Sequence, residues 1–286
     1  MHSLTNVEVP ANAVAIHWFE QSCFAIKDAS GTIIQIDPFF PHERLPERFI
    51  HDTPPLDESL LPTDYVLLTH DHRDHTCPES LRRIHETFPH VRVIGPAEST
   101  RRVAEETEIA AANVTTIQAG DAVNLVSMTA HAVYAKPPEG DPSMEIPPPD
   151  VTHLGYIIKT TGPTLYFSGD PINNFADQDA LIKAIAAHQP DIGFLTTHPS
   201  EGEFPFFDGS VKMAERIGLQ HAVPAHYACF VKRDYDPQAW AASFPTLSDN
   251  ADDSSFYQGP VPILIERDTH IIYPTAELSA TESSAS

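Results

Sequence analysis

The chain has 286 residues, with 17 Lys+Arg against 40 Asp+Glu and a formal net charge of −23. Its 41% apolar content excludes a disordered acidic tail. The charge argues against broad binding to nucleic acid or an anionic membrane, whose phosphates would be repelled over most of the surface. The length suits one domain with a sizeable core. Cys23, Cys77 and Cys229 are odd in number and far apart, so they form neither a CxxC motif nor a disulfide framework. Met1 to Asn12 lacks a basic segment followed by an apolar run, and no stretch reaches the roughly 20 apolar residues of a spanning helix. A cytoplasmic protein is expected.

In chain order, Ala13–Phe19, Cys23–Lys27 and Ile33–Asp37 are short β-branched and aromatic runs with hairpin punctuation at Gln21-Ser22 and Ala29-Ser30-Gly31. The aromatic, proline-rich stretch Phe39 to Pro62 reads as a long loop placed to cover a site. Asp64–Thr69 is a buried-type strand, followed by a helix over Pro78–Phe88, a strand over Val91–Gly95 and a helix over Ala97–Thr107. Val114–Ile117 and Ala122–Ala130 read as two strands, the second ending at His131. Lys136 to Asp150 is an acidic, proline-rich loop.

Strands resume over Leu154–Lys159 and Thr164–Ser168, with a helix over Asp177–Ala187. A strand over Ile192–Thr196, a helix over Gly209–Ile217 closed by Gly218, and a strand over Ala222–Ala225 follow. Pro262–Glu266 and His270–Tyr273 read as a closing hairpin around Arg267-Asp268-Thr269. The pattern predicts an N-terminal segment over 1–12, one α/β domain over 13–275 and a disordered polar tail over 276–286. The domain is expected to pack two sheets face to face with helices outside.

The strongest chemical signal is His70-x-His72-x-Asp74-His75 at the end of an apolar strand. Imidazole and carboxylate are the donors that divalent transition metals prefer. His131, Asp170 and His226 each follow a strand, where residues from different strands converge on one edge. Together these seven residues offer enough donors for two ions sharing a bridging carboxylate. Lys136, His153 and His198 are weaker candidates for lining a substrate pocket.

The runs Leu67-Leu68-Thr69-His70-Asp71-His72-Arg73-Asp74-His75, Phe167-Ser168-Gly169-Asp170 and Pro224-Ala225-His226 resemble the metallo-β-lactamase superfamily. The resemblance covers about Ala13 to Pro274 and implies a four-layer αββα sandwich. Trp18 to Phe24, Ile36-Asp37-Pro38, Gly155 to Ile158 and Tyr235 to Gln238 are similar to the L-ascorbate-6-phosphate lactonase-like branch. The resemblance implies that His70, His72 and His131 hold one metal, that Asp74, His75 and His226 hold the second, and that Asp170 bridges them. A single-metal site is the alternative if His131 is not a ligand. It also implies that Asp37 hydrogen-bonds a ligand imidazole. His72, where di-iron flavoprotein relatives carry a carboxylate, and Asp170, with no cysteine placed to replace it, disfavour those relatives and the zinc β-lactamases proper.

The expected chemistry is attack by a metal-bound hydroxide, with Asp74 as proton acceptor and donor. The expected cofactor is one or two ions of zinc, manganese or iron. The expected partner is a small-molecule substrate: a lactone, with phosphorylated sugar-acid lactones among the candidates. A phosphodiesterase is the alternative enzyme, and a non-catalytic metal-binding protein the alternative from another class.

Overall fold

A computed structural model describes residues 1–245 and 259–274. The predicted tail over 276–286 lies outside the described residues. Two seven-stranded sheets face each other, and helices cover both outer faces, as the αββα expectation requires. In the first sheet β1 (Val14–Glu20), β2 (Cys23–Asp28) and β3 (Ile33–Ile36) run antiparallel to one another. β3 continues into parallel pairing through β4 (Tyr65–Leu67), β5 (Arg92–Gly95) and β6 (Val114–Thr116). The second sheet holds β7 (Ala122–Leu125), β8 (Met128–Tyr134), β9 (Leu154–Lys159) and β10 (Thr164–Phe167) as antiparallel neighbours. β11 (Ile192–Thr196), β12 (His221–Ala225) and β13 (Val261–Pro262) then add in parallel. β14 (Thr269–Tyr273) returns to pair with β1.

Buried strands explain the composition of these runs. β1, β3, β4 and β11 are buried on both faces, which suits continuous apolar, β-branched sequence better than alternation. Between the sheets Phe24, Phe167 and Phe194 pack edge to face and stacked, with centroids 4.3 to 5.5 Å apart. Each such ring contributes on the order of 1.5–3 kcal/mol by leaving water. Outside the first sheet, Leu81 and Ile84 of α1 (Pro78–Thr87) and Val103 of α2 (Ala97–Glu106) pack on Val66, Leu68 and Val93. α3 (Asp179–Ala186) and α4 (Phe207–Ile217) cover the second, and Gly218 ends α4 in the left-handed region, where lack of a Cβ removes the penalty. A short α5 (Pro237–Ala241), capped by Asp236, was not predicted. Among the described residues no helix is long and apolar enough to cross a membrane.

Two expectations fail. The predicted single strand over Ala122–Ala130 is a hairpin: the chain turns at Val126, φ 61°, and β8 then runs through His131 to Tyr134. A β-branched residue in the left-handed region is a poor turn signal, so sequence patterning passes straight over it. The predicted closing hairpin is not one either. β13 pairs with β12 in the second sheet and β14 with β1 in the first, so the chain crosses between sheets there.

The sheets are tied together at one edge. Leu154 N donates to Thr69 O at 2.9 Å, and the Tyr156 hydroxyl donates to Leu68 O at 2.8 Å. Gly169 adopts φ +56°, and a Cβ there would lie 2.4 Å from Leu154 O. Gly169→Ala is therefore expected to cost about 1–3 kcal/mol or more in urea denaturation. Gly120→Ala, also at positive φ but with nothing within 4 Å, is expected to cost less. Equal midpoints for the two variants would show that the inter-sheet contact at Gly169 does not constrain the fold.

Candidate metal centre

The site forms where the parallel strands of both sheets end. The loop after β4 supplies His70, His72, Asp74 and His75; the turn after β10 supplies Asp170; the residue after β12 is His226. Their backbones are bent to the task. Asp37, His226 and Gln21 all have positive φ, at 44°, 71° and 53°. Such non-glycine strain persists only where surrounding contacts over-determine it.

Asp37 and Thr69 set the proton positions. Asp37 is fully buried and accepts from Thr69 N at 2.8 Å, from the Thr69 hydroxyl at 2.6 Å and from His75 Nδ1 at 2.7 Å. With its hydroxyl proton given to Asp37, Thr69 Oγ1 accepts from His70 Nδ1 at 3.0 Å. Both imidazoles thus carry their proton on Nδ1 and turn Nε2 toward the cluster, which is how an oriented metal-binding histidine is prepared. His72 is held the other way round: its Nε2 donates to Asp150 at 3.0 Å, leaving Nδ1 to face His70 Nε2 at 3.1 Å. Arg102 anchors the whole loop, its guanidinium reaching both carboxylate oxygens of Asp71 at 2.5 and 3.0 Å.

Two donor groups result, with their candidate ligand atoms within 4.8 Å of one another: His70 with His72 and His153, and Asp74 with His75 and His226. Asp170 lies between them, its Oδ2 3.5 Å from His70 Nε2, 3.5 Å from His75 Nε2 and 3.8 Å from His226 Nε2. His75 Nε2 and His226 Nε2 are 3.8 and 3.7 Å from Asp74 Oδ2. Separations of about 3–4 Å between donors are what ligands about 2.0–2.2 Å from one ion would show. Both His153 nitrogens, Asp170 Oδ1 and His226 Nε2 are buried without a hydrogen-bond partner. Orphaned lone pairs on oriented imidazoles and a buried carboxylate fit a divalent cation.

The electrostatics agree. Burial, with His75 and His153 beside it, holds His70 well below the ordinary histidine range, and burial likewise lowers His226. Burial, reinforced by Lys136, pushes His153 down to about 3. For Asp170 burial acts upward, but the surrounding His75, His226 and His70 outweigh it and hold the carboxyl well below its usual range. At His75 burial acts downward and is outweighed by Asp170, Asp37 and Asp74, which raise it well above the ordinary value. That carboxylate field is one a cation would neutralise.

The expected ligand His131 is not in the site. It pairs with Ile157 in the middle of the second sheet, and its ring lies 4.6 Å from that of His188. Tyr156 next door points inward to Leu68 O, so strand alternation turns Ile157 and His131 to the outer, helix-covered face. His153, weighed in the sequence only as a pocket residue, takes the place beside His70, with ring centroids 4.1 Å apart. His198 is not brought to the cluster: its Nδ1 accepts from Ser200 N and Glu201 N and shapes its own loop. Lys136 pairs with Glu203 at 3.2 Å. Gln21, read in the sequence as hairpin punctuation and within the Trp18–Phe24 run but not as a site residue, places Nε2 3.0 Å from Asp74 Oδ2 and 3.2 Å from His75 Nε2.

A separate group, His2, His17 and Asp268, has similar spacing. There His2 Nδ1 accepts from Leu4 N at 3.3 Å, so its Nε2 carries the proton and turns an N–H, not a lone pair, toward Asp268.

Beside the centre lies a cavity of about 1030 Å³, reached from His72 and Asp74 and walled by Phe39, Phe49 and Phe230. Phe39 and Phe49 come from the proline-rich stretch predicted to cover a site.

Residues 32–227 match the family model for the "Beta-lactamase superfamily domain". That span contains all seven clustered donors, and Gln21 falls outside it. Among curated proteins, the chain is 24% identical over 246 residues to a UPF0173 metal-dependent hydrolase of Myxococcus xanthus, covering 82% of this chain and 78% of that protein. Among solved structures it resembles Igni18, a metallo hydrolase from Ignicoccus hospitalis, with TM-score 0.64 and 17% identity over 92% of this chain and 99% of that one. It also resembles an isothiocyanate hydrolase from Delia radicum gut bacteria, with TM-score 0.67 and 12% identity over 90% and 98% of the two chains.

Two measurements check this assignment. His153→Ala is expected to lower bound metal in elemental analysis, and His131→Ala to leave it unchanged; the reverse would restore His131 as the ligand. In metal-free protein the depressed His153 pKa has a definite sign. Between pH 6.5 and about 3 the unfolded chain takes up a proton at this position that the folded chain does not. Stability therefore falls as pH drops through that window, and His153→Gln is expected to flatten the slope in denaturant titrations.

Proposed function

The chain belongs to the β-lactamase superfamily, and on that premise we propose that it is a metal-dependent hydrolase acting on a small neutral ester, a lactone above all. One observation carries the reading: oriented imidazoles and the carboxylates Asp74 and Asp170 converge from both sheets, beside an open cavity that His72 and Asp74 line. A divalent cation held by these residues supplies Lewis acidity, which polarises a carbonyl oxygen and lowers the pKa of a water. Zinc, manganese and iron all suit mixed imidazole and carboxylate donors, so availability decides among them.

The chain's own residues do the rest. His70, His72, His153 and Asp170 would hold one ion, and Asp74, His75 and His226 would hold another beside Asp170. Of the two carboxylates in the cluster Asp74 is the one that is partly exposed, 21% for its side chain against 2% for Asp170. It is therefore the carboxylate placed to take a proton from the attacking water and return it to the leaving alkoxide. The three phenylalanines exclude water from one wall and receive an apolar part of the substrate.

Charge on the cavity walls supports a neutral ester over a phosphodiester or a phosphorylated sugar acid. Six carboxylate residues line it (Glu43, Glu47, Asp74, Glu79, Glu106, Glu203) against the five cations Arg48, Arg73, Arg82, Lys232 and Arg233. Two of the cations are already engaged, Arg73 by Glu106 and Arg233 by Glu201 and Glu203. With the ligand Asp74 set aside, five carboxylates face five cations, so apart from the metal itself the walls offer an anionic phosphate no net attraction.

The test is a pH-stat assay of metal-reconstituted protein on a series of lactones, run beside bis(p-nitrophenyl) phosphate. Acid release from lactones is expected, lost by at least about a hundredfold in Asp74→Asn. Nitrophenol release without lactone opening would overturn the substrate reading. Retention of both metal and activity in His72→Ala would overturn the site.

A further inference from the structure

The two donor groups are not equivalent, and Gln21 makes the difference. In the first group His70 Nε2 and His72 Nδ1 face each other at 3.1 Å, and both protons are committed elsewhere, to Thr69 and Asp150. Two facing lone pairs and the orphaned His153 nitrogens leave this group short of a positive partner. The second group has one already. Gln21 Nε2 donates to Asp74 Oδ2 at 3.0 Å and lies 3.2 Å from His75 Nε2, so the amide stands against the two atoms that an ion would use.

The amide is held in this orientation. Gln21 is fully buried in the β1–β2 turn, and its Oε1 accepts from Ser22 N, which directs Nε2 at the cluster. The backbone is pinned from three sides: Gln21 N donates to Tyr227 O at 2.9 Å, while Gln21 O accepts from His226 N and from Trp18 Nε1, each at 3.0 Å. Because His75 Nδ1 is committed to Asp37, His75 has only Nε2 to offer, either to the amide or to a cation. An amide N–H has no lone pair with which to join the coordination.

We propose that Gln21 guards the second metal position, so that the centre loads its ions unequally. The group of His70, His72, His153 and Asp170 takes the first ion. The group of Asp74, His75 and His226, which still has an orphaned His226 Nε2 to contribute, takes a second only when the Gln21 amide gives way. The inference rests on the reading of the cluster as a metal centre and adds which residue sets the number of ions at a given metal concentration.

Stepwise zinc titration of metal-stripped protein against a chromophoric chelator, with elemental analysis of the end states, tests it. Gln21→Gly removes the amide and tolerates the positive φ, and Gln21→Glu keeps the shape while replacing the donor with a carboxylate. In the wild type the second step is expected to be weaker than the first. Each variant is expected to tighten the second step about tenfold, the scale of one lost hydrogen bond to a charged carboxylate, and to leave the first within about twofold. His226→Ala placed in either variant is expected to abolish the tightened step, which assigns it to this position.

Loss of the second step in Gln21→Gly would show that Gln21 is itself a ligand through Oε1 and would overturn the proposal. Unchanged second-step affinity would overturn it as well, as would a tightened step that survives His226→Ala. Failure of the wild type to take up a first ion would instead defeat the metal-centre reading, so the two failures are distinct.

Discussion

Everything at the site depends on one buried hydrogen-bond relay, from His70 through Thr69 to Asp37 and from His75 to the same carboxylate. Asp37 follows β3, Thr69 follows β4, and parallel pairing of those strands brings them together. The relay decides which nitrogen of each imidazole is available. It accounts for a buried Asp37 at positive φ, a conformation that costs on the order of 1–3 kcal/mol and that the surrounding contacts hold in place. Desolvation pushes the Asp37 carboxyl upward, opposed by His75 and Thr69. The carboxylate is tolerable there because each of its oxygens has a donor.

From that relay the rest of the centre follows by geometry. Parallel strands in both sheets deliver their ends to one edge, and the sheets are locked at that edge by Thr69, Leu68, Leu154 and Tyr156. Asp170 sits opposite the relay because Gly169 lets the turn after β10 pass against Leu154, where no side chain fits. Phe39 and Phe49 of the aromatic wall come from the long stretch after β3, which Glu20 secures through a buried pair with Arg44, while Arg267 holds the other Glu20 oxygen. Scaffold, site and cover are therefore coupled: the segments that supply ligands also set the spacing of the sheets.

Much of this is legible in the sequence. His70, His72, Asp74 and His75 are contiguous, so their convergence needs only one loop, and Asp170 and His226 announce themselves by following short apolar strands. His131 misleads because the hairpin at Val126 lacks turn residues. Without that turn, a mid-strand histidine on the outer face looks like a strand-end ligand. His153 is hidden by the prolines before it and by its position ahead of its strand. Gln21 carries no metal-ligand signature and becomes visible only when the β1–β2 turn is seen against His226 and Asp74. Local pattern therefore reports the residues of one segment, while pairing between segments decides which of them share a site. The closing strands show the same limit: each was read as a strand, and their partners lie in different sheets.

The central claim is that a cation belongs among His70, His72, His153 and Asp170. Anomalous diffraction from crystals of the protein grown with zinc, with data collected on both sides of the metal edge, tests it most directly. The account predicts an anomalous peak bounded by His70 Nε2, His72 Nδ1, a His153 nitrogen and an Asp170 carboxylate oxygen. A peak beside His131 or at His2, His17 and Asp268, with none at this position, would contradict it.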